Sequence, residues 1–327
     1  MADRPRFSKT QLGQYLDRIA VPAEHRLYDV SGIADGDKFK YLSLLEKHHL
    51  IRIPFENLTL HYSWHRVIDV SPRHLFSKVV AHPSRGRGGY CMEVNTLFHT
   101  LLLSLGFDVS MAGARVYDPG RQRYGGFSHC VNIVTVAGVQ YMVDVAFGAN
   151  GPTRPVPMEP GHEGVHIEPA SVRLVNEPIP QNLNQRSKVW IYQHRINEHA
   201  DWVPMYCFVD LEFIPEDIRA MNLSPWKSPT SFFTQKIIVT RFTTAAEDIS
   251  SPSPGVPNEA AVLDCGIDGA LIVDHDKFKW RRNGVTVLER TFDSDDERLD
   301  YLRRYFGIEL ADEDADAIAG TAGQISR

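Results

Sequence analysis

The hydrophobic period of this chain changes at Phe107, and that change limits the folds open to it. Before Phe107, KTQLGQYLDRIA (Lys9 to Ala20) and DKFKYLSLLEKHHLIRI (Asp37 to Ile53) carry apolar residues at three- and four-residue spacing, the pattern of amphipathic helices. SPRHLFSKVVA (Ser71 to Ala81) offers Ser71 as an N-cap and Pro72 at the first helical position. The segment from Cys91 places Leu97, Phe98, Leu101, Leu102 and Leu105 on one stripe, and Gly106 suits its end. After Phe107 the period becomes two. FDVSMAGARVYD, SHCVNIVTV and VQYMVDVAF are rich in β-branched and aromatic residues and are separated by turn residues.

Further on, the region from Pro152 to Gln185 reads mostly as loop, with one strand near Ala170 to Val175. KVWIYQHRI and WVPMYCFVDLEFIP add strands, a helical or irregular link covers Pro215 to Leu223, and FTQKIIVTRFTT resumes the sheet. Asn283-Gly284 sits at the centre of an expected hairpin, and Ser294 with Glu297 forms a capping-box pattern before a helix that Gly307 ends. SSPSPGVPNEA (Ser250 to Ala260) reads as an exposed loop or insertion.

Composition narrows the function classes. A net charge of -6 gives no basic footprint for nucleic acid. The acidic runs at Asp293 to Asp300 and Ala311 to Ala317 read as solvated surface and tail. No apolar run approaches the ~18 residues that span a bilayer, and MADRPRFSKTQLGQ has no apolar core of the signal-peptide kind. The four cysteines include no CxxC pair, which argues against zinc and against a disulfide framework. A soluble, cytoplasmic protein without a metal is the expectation. His48-His49 and the pair His61/His65 read as surface histidines, and GRGGY lacks the Gly-Lys-Ser/Thr of a phosphate loop.

One cysteine, Cys91, stands between a glycine-rich stretch and the strongest helix. Only a thiolate attacks well, and unpaired N–H groups at a helix start favour negative charge there. The preceding glycines permit sharp geometry and close approach of a ligand. If SHCVNIVTV and VQYMVDV pair about Ala137-Gly138, opposite residues are Val131 with Asp144 and His129 with Ala146. His129 and Asp144 are then diagonal neighbours on one face, about 7–8 Å apart at the backbone and within reach of contact. A carboxylate-held histidine beside Cys91 would complete a nucleophilic constellation. A cysteine before an apolar helix is also a common packing residue, and spacing alone leaves both readings open.

Three segments, RGGYCMEVN (Arg87 to Asn95), SHCVNIV (Ser128 to Val134) and MVDVAFG (Met142 to Gly148), resemble in order and spacing the signature blocks of the arylamine N-acetyltransferase family. IPFENLTLHY (Ile53 to Tyr62), YLDRI (Tyr15 to Ile19) and SPTSFFTQ (Ser228 to Gln235) resemble three further blocks, and weaker similarity runs to YFGIEL near Leu310. The resemblance implies an α+β fold in three parts. These are a helical bundle carrying the cysteine (1–106), a β-barrel carrying the histidine and aspartate (107–225), and an α/β lid with a flexible acidic tail (226–327).

It implies a Cys91–His129–Asp144 triad that takes an acyl group, acetyl by default, from acetyl-CoA or another acyl-CoA and passes it, by ping-pong kinetics, to arylamines, arylhydroxylamines or hydrazines, a xenobiotic-metabolising activity. Acyl-CoA would be a cosubstrate, with no permanently bound cofactor. By the same resemblance Phe55 and Phe147 would offer aromatic surface to the acceptor. Gly126, Gly148 and Thr230 would lie along the coenzyme A path, and Glu56, Asn57 and Arg87 would support the cysteine loop. Ala146 stands where the family often has glycine. Propionyl- and malonyl-CoA remain open as donors, and a thiol hydrolase or transglutaminase-like enzyme would use the same triad.

Overall fold

The computed structural model describes residues 4–82, 85–248, 263 and 265–325. The insertion read at Ser250 to Ala260 lies outside them. The chain opens with helices α1 (Lys9–Arg18), α2 (Asp35–Arg52), a single turn α3 (Pro72–Leu75) and α4 (Cys91–Leu105), with a two-residue strand β1 (Phe55–Glu56) between α2 and α3. In α1, Ser8 caps Gln11 and Gln11 returns the bond. Pro72 opens α3 as expected, but the Ser71 side chain makes no capping bond. Gly106 ends α4 at φ 90°, a left-handed conformation that favours glycine. The five stripe residues of α4 are fully buried, and each contributes roughly 1.5–3 kcal/mol by burial.

From Asp108 the chain builds an antiparallel sheet of β2 (Asp108–Asp118), β3 (Arg123–Val136), β4 (Val139–Val143), β5 (Val156–Pro157), β6 (Glu163–Val165), β7 (Ser171–Glu177), β8 (Val189–Arg195) and β9 (Val203–Phe208). The order is β5-β4-β3-β2-β9-β8-β7-β6, and β5 approaches β7, so the sheet nearly closes into a barrel. The β3–β4 hairpin has the expected register, Asn132 opposite Val143 and Val136 opposite Val139. Its two faces feed different cores. Val134, Val136 and Val143 pack on the helices, while Val131, Ile133 and Met142 pack inside the barrel. The ladder stops at Val143, one residue before Asp144.

Helices α5 (Pro215–Lys227) and α6 (Phe232–Gln235) lead to a second sheet of β10 (Ile238–Thr244), β11 (Ile267–Asp274), β12 (Lys277–Arg282) and β13 (Val285–Thr291), which β1 joins alongside β10. Phe233 to Gln235, expected as strand, form the α6 turn, because Ser231 caps Phe233. Asn283 (φ 44°) and Gly284 (φ 77°) make the tight turn between β12 and β13. Helix α7 (Asp295–Tyr301) is capped by Ser294, although Glu297 returns its bond to Asp293 rather than to Ser294.

The acidic end is not a free tail. It forms α8 (Asp312–Asp316), Ile318 joins the core of the second sheet, and Trp64 and the buried Arg298 donate to the carbonyls of Glu313 and Gly323. The arrangement of helices, nearly closed barrel and second α/β layer is the expected three-part α+β fold.

Candidate active site

The loop before α4 is held from beneath. Arg87 Nε lies 2.9 Å from Glu56 Oε1 and its Nη2 donates to Thr59 at 2.9 Å. Glu56 also accepts from the N–H groups of Leu58 (2.7 Å) and Gly88 (3.3 Å). Burial opposes the Glu56 charge, but Arg87 and Lys78 overcome that and hold its pKa down at about 2. Lys78 bridges to Glu93 at 2.7 Å, and Glu93 accepts the Tyr90 N–H at 3.1 Å, capping α4. A Cβ at Gly88 would sit 1.8 Å from the Pro54 carbonyl oxygen. The glycine there serves close backbone packing, not the approach of a ligand. Asn57 ties this region to the end of α6 through the carbonyls of Phe233 and Lys236, and to the start of β10 through the Ile238 N–H.

Cys91 is the first residue of α4, and its side chain is almost wholly covered rather than displayed. Its Sγ lies 3.7 Å from the Ser128 carbonyl oxygen. That carbonyl belongs to a β-bulge: His129 pairs with Ala114 and Phe127 with Arg115, leaving Ser128 as the extra residue. His129 Nε2 lies 2.7 Å from Asp144 Oδ2. Cys91 and His129 line the same cleft, and with Nε2 committed to Asp144, Nδ1 is the ring nitrogen left for the sulfur.

Asp144 Oδ1 accepts from Asn95 Nδ2 and from the Ala146 N–H, both at 2.9 Å. Asp144 reaches the ring because the strand ends before it, which frees its backbone from the ladder. Burial works against protonated His129, yet the Asp144 charge and hydrogen bond, with a smaller contribution from Cys91, push its pKa up from 6.5 to about 10. Burial likewise opposes ionised Asp144, and His129, Asn95 and Ala146 hold it below the usual carboxylate value.

Cys91 and His129 lie at the floor of a cleft of about 620 Å³. Phe55, Phe147, Gly148 and Thr230 line it, as does Ala146. Gly126 does not, although its neighbour Gly125 does. The His129 ring is packed at 5.2 Å from Phe147 and 4.9 Å from Tyr206, centre to centre.

Asn95 was not singled out from the sequence. It lies four residues after Cys91, one helical turn on, so that spacing could have marked it. It also holds the Cys130 carbonyl and the Val145 N–H, and Asn132 extends the network to His99. The four histidines whose pattern predicts surface groups divide. His48, His49 and His61 are buried, on the Ile19 carbonyl, the Tyr15 hydroxyl and the Phe233 carbonyl respectively, whereas His65 is exposed. Among the described residues no set of His, Cys, Asp and Glu side chains is placed to hold a metal ion, and no helix is long and apolar enough to cross a membrane.

The fold and its matches define the class of protein first: it is an acyltransferase. Residues 38–249 match the family model described as N-acetyltransferase. The chain is 30% identical to an N-malonyltransferase of Fusarium pseudograminearum, over 96% of this chain and 93% of that one. It is 28% identical to arylamine N-acetyltransferase 2 of Mus musculus, over 83% and 88% of the two chains. The arylamine N-acetyltransferase of Mycobacterium marinum, solved in complex with CoA, superposes with a TM-score of 0.71 at 25% identity, covering 95% of this chain and 99% of the other. The chain therefore belongs to the arylamine N-acetyltransferase family, whose cosubstrate is an acyl-coenzyme A.

Proposed function

We propose that the protein is an acyl-CoA-dependent arylamine N-acyltransferase in which Cys91 carries the acyl group. The observation that carries this reading is the placement of Cys91 beside His129 in one aromatic-lined cleft, with Asp144 bonded to the far side of the ring. His129, kept protonated at neutral pH, stabilises a negative sulfur. The thiolate attacks the thioester carbonyl, the bond to the coenzyme A sulfur breaks, and the His129 proton goes to that leaving sulfur. The amine then attacks the acyl-Cys91 carbonyl and gives its proton to His129, and Cys91 leaves as thiolate. Asp144 fixes the ring with Nε2 towards itself and offsets the imidazolium charge. Phe55 and Phe147 flank the cleft where an aromatic acceptor would lie, and Gly148, Thr230 and Ala146 line the approach of the thioester.

Malonyl-CoA is the donor we favour over acetyl- and propionyl-CoA, since the N-malonyltransferase match spans nearly the whole of both chains. The test measures coenzyme A release from each of the three donors, with and without an aniline or a hydrazine. Amine-dependent release, parallel double-reciprocal lines and the highest kcat/KM with malonyl-CoA are expected. Release indifferent to the amine would make the protein a thiol hydrolase instead, and a preference for acetyl-CoA would overturn the donor assignment alone.

A further inference from the structure

On one face of β10, Ile238 and Thr240 line the cleft and Phe242 continues into the helical core. In the ladders Thr240 pairs with Phe55 on one side and with Ile272 on the other. Its hydroxyl therefore sits among four apolar side chains. Thr240 is only 4% exposed, and its oxygen has no hydrogen-bond partner among the described residues. Valine has the same outline and would fill the place without burying an unpaired polar group. The oxygen is turned towards Gly148, where a Cβ would stand 3.9 Å from it. Gly148, Phe55 and Ile272 all line the cleft, so the hydroxyl belongs to the cleft wall. Other hydroxyls there are less enclosed: Ser228 and Thr230 bond each other at 3.0 Å, and Ser231 caps Phe233. A buried, unpaired hydroxyl in the wall of a binding cleft calls for an explanation, and a ligand group that completes it is one.

We propose that Thr240 is a specificity-determining residue for the acyl donor: its hydroxyl donates to the distal carboxylate of a malonyl group carried on Cys91. The inference rests on the donor reading given above. Phe55 pairs with Thr240 and also bridges to Gly89, two residues before Cys91. Two strand spacings, about 10 Å, therefore separate Thr240 from the cysteine loop. The malonyl carboxylate stands beyond the methylene that follows the thioester carbon, and so extends across this gap. An acetyl group ends at its methyl and offers the hydroxyl no acceptor. The described residues that line the cleft include no lysine or arginine, and the cation among them is protonated His129. A carboxylate drawn onto His129 would occupy the ring that the incoming amine needs. A hydroxyl on β10 holds it away from that ring and adds no charge to the cleft.

The experiment measures kcat/KM for malonyl-, propionyl- and acetyl-CoA, with a saturating arylamine, in the wild type, Thr240→Val and Thr240→Ser. Propionyl-CoA matches the malonyl chain length but carries no carboxylate. Thr240→Val should lower the malonyl value at least about tenfold and change the other two by less than about threefold, the scale of one hydrogen bond to a charged group. Thr240→Ser keeps the oxygen and should recover most of the malonyl activity. Retained acetyl turnover reports that the valine variant is folded, and if it is not, Thr240→Ala is read by the same ratios. A valine variant with the wild-type ratio of malonyl to propionyl activity overturns the proposal, whether or not all rates fall together. So does a serine variant as poor with malonyl-CoA as the valine variant. A wild type that uses acetyl- but not malonyl-CoA overturns the donor assignment and this proposal together. A wild type that prefers malonyl-CoA, with a valine variant that keeps the preference, overturns this proposal alone.

Discussion

Replacing Asp144 by asparagine removes one charge and reverses one hydrogen bond. Asp144 Oδ1 can still be an acceptor for Asn95 and Ala146, so the amide NH₂ is left facing His129 Nε2. Nε2 must then accept, the ring proton moves to Nδ1, and the nitrogen beside Cys91 can no longer take a proton. The rise of His129 from 6.5 to about 10 corresponds to about 5 kcal/mol in favour of the imidazolium. Cys91 supplies part of it, and assigning at least half to Asp144 gives about 2.5–5 kcal/mol, or roughly 10²–10⁴-fold in kcat.

The assay is coenzyme A release with a saturating amine, paired with the rate of Cys91 alkylation against pH. Wild-type alkylation should be nearly flat through neutrality, while Asp144→Asn should alkylate slowly and faster as pH rises. A variant within tenfold of wild type in kcat, with the same flat profile, would refute the reasoning.

Arg87→Met leaves Glu56 fully buried with Lys78 at 3.7 Å as its remaining ion pair among the described residues, and should cost about 3–5 kcal/mol in urea unfolding; a loss below about 1 kcal/mol would mean the pair is not structural. Gly88→Ala drives a methyl against the Pro54 oxygen and should lower stability by at least about 1–3 kcal/mol, with a wild-type Tm as the contrary result. Burial holds His48 at about 4 and His49 at about 3, against 6.5 for a free histidine, so the unfolded chain binds protons that the native state refuses. Their contribution to stability is full above pH 6.5 and falls as pH drops towards these values. His129 acts in the opposite sense, contributing fully below 6.5 and losing its contribution as pH rises through about 10. Calorimetry should therefore give a Tm that declines on both sides of this region, and a Tm unchanged between pH 6.5 and pH 4 would contradict the burial of these rings.

What could be read in the sequence was local or nearly so. The α4 stripe, its stop at Gly106, the Asn283-Gly284 turn and the β3–β4 register depend on residues close together in the chain, and each formed as expected. That register, continued, would set Asp144 opposite Val131; the ladder instead ends at Val143, and Asp144 meets His129 from beyond it. Groups whose state depends on distant partners were misread. His49 looks like a surface residue until the Tyr15 hydroxyl meets it, and the acidic end looks like a solvated tail until Arg298 binds the Gly323 carbonyl. The exit of Asp144 from its strand left no mark in the alternation pattern. Gly126 matches a family position near the coenzyme A path, and the residues of that strand that line the cleft include Gly125 and Ser128.

The measurement that bears most directly on acyl transfer through Cys91 is mass spectrometry of the protein mixed with malonyl-CoA and quenched in acid before any amine is added. The account predicts one malonyl group on the peptide containing Cys91, lost when an arylamine is supplied and absent in Cys91→Ser. An unmodified Cys91 peptide under conditions where amine acylation proceeds would contradict it.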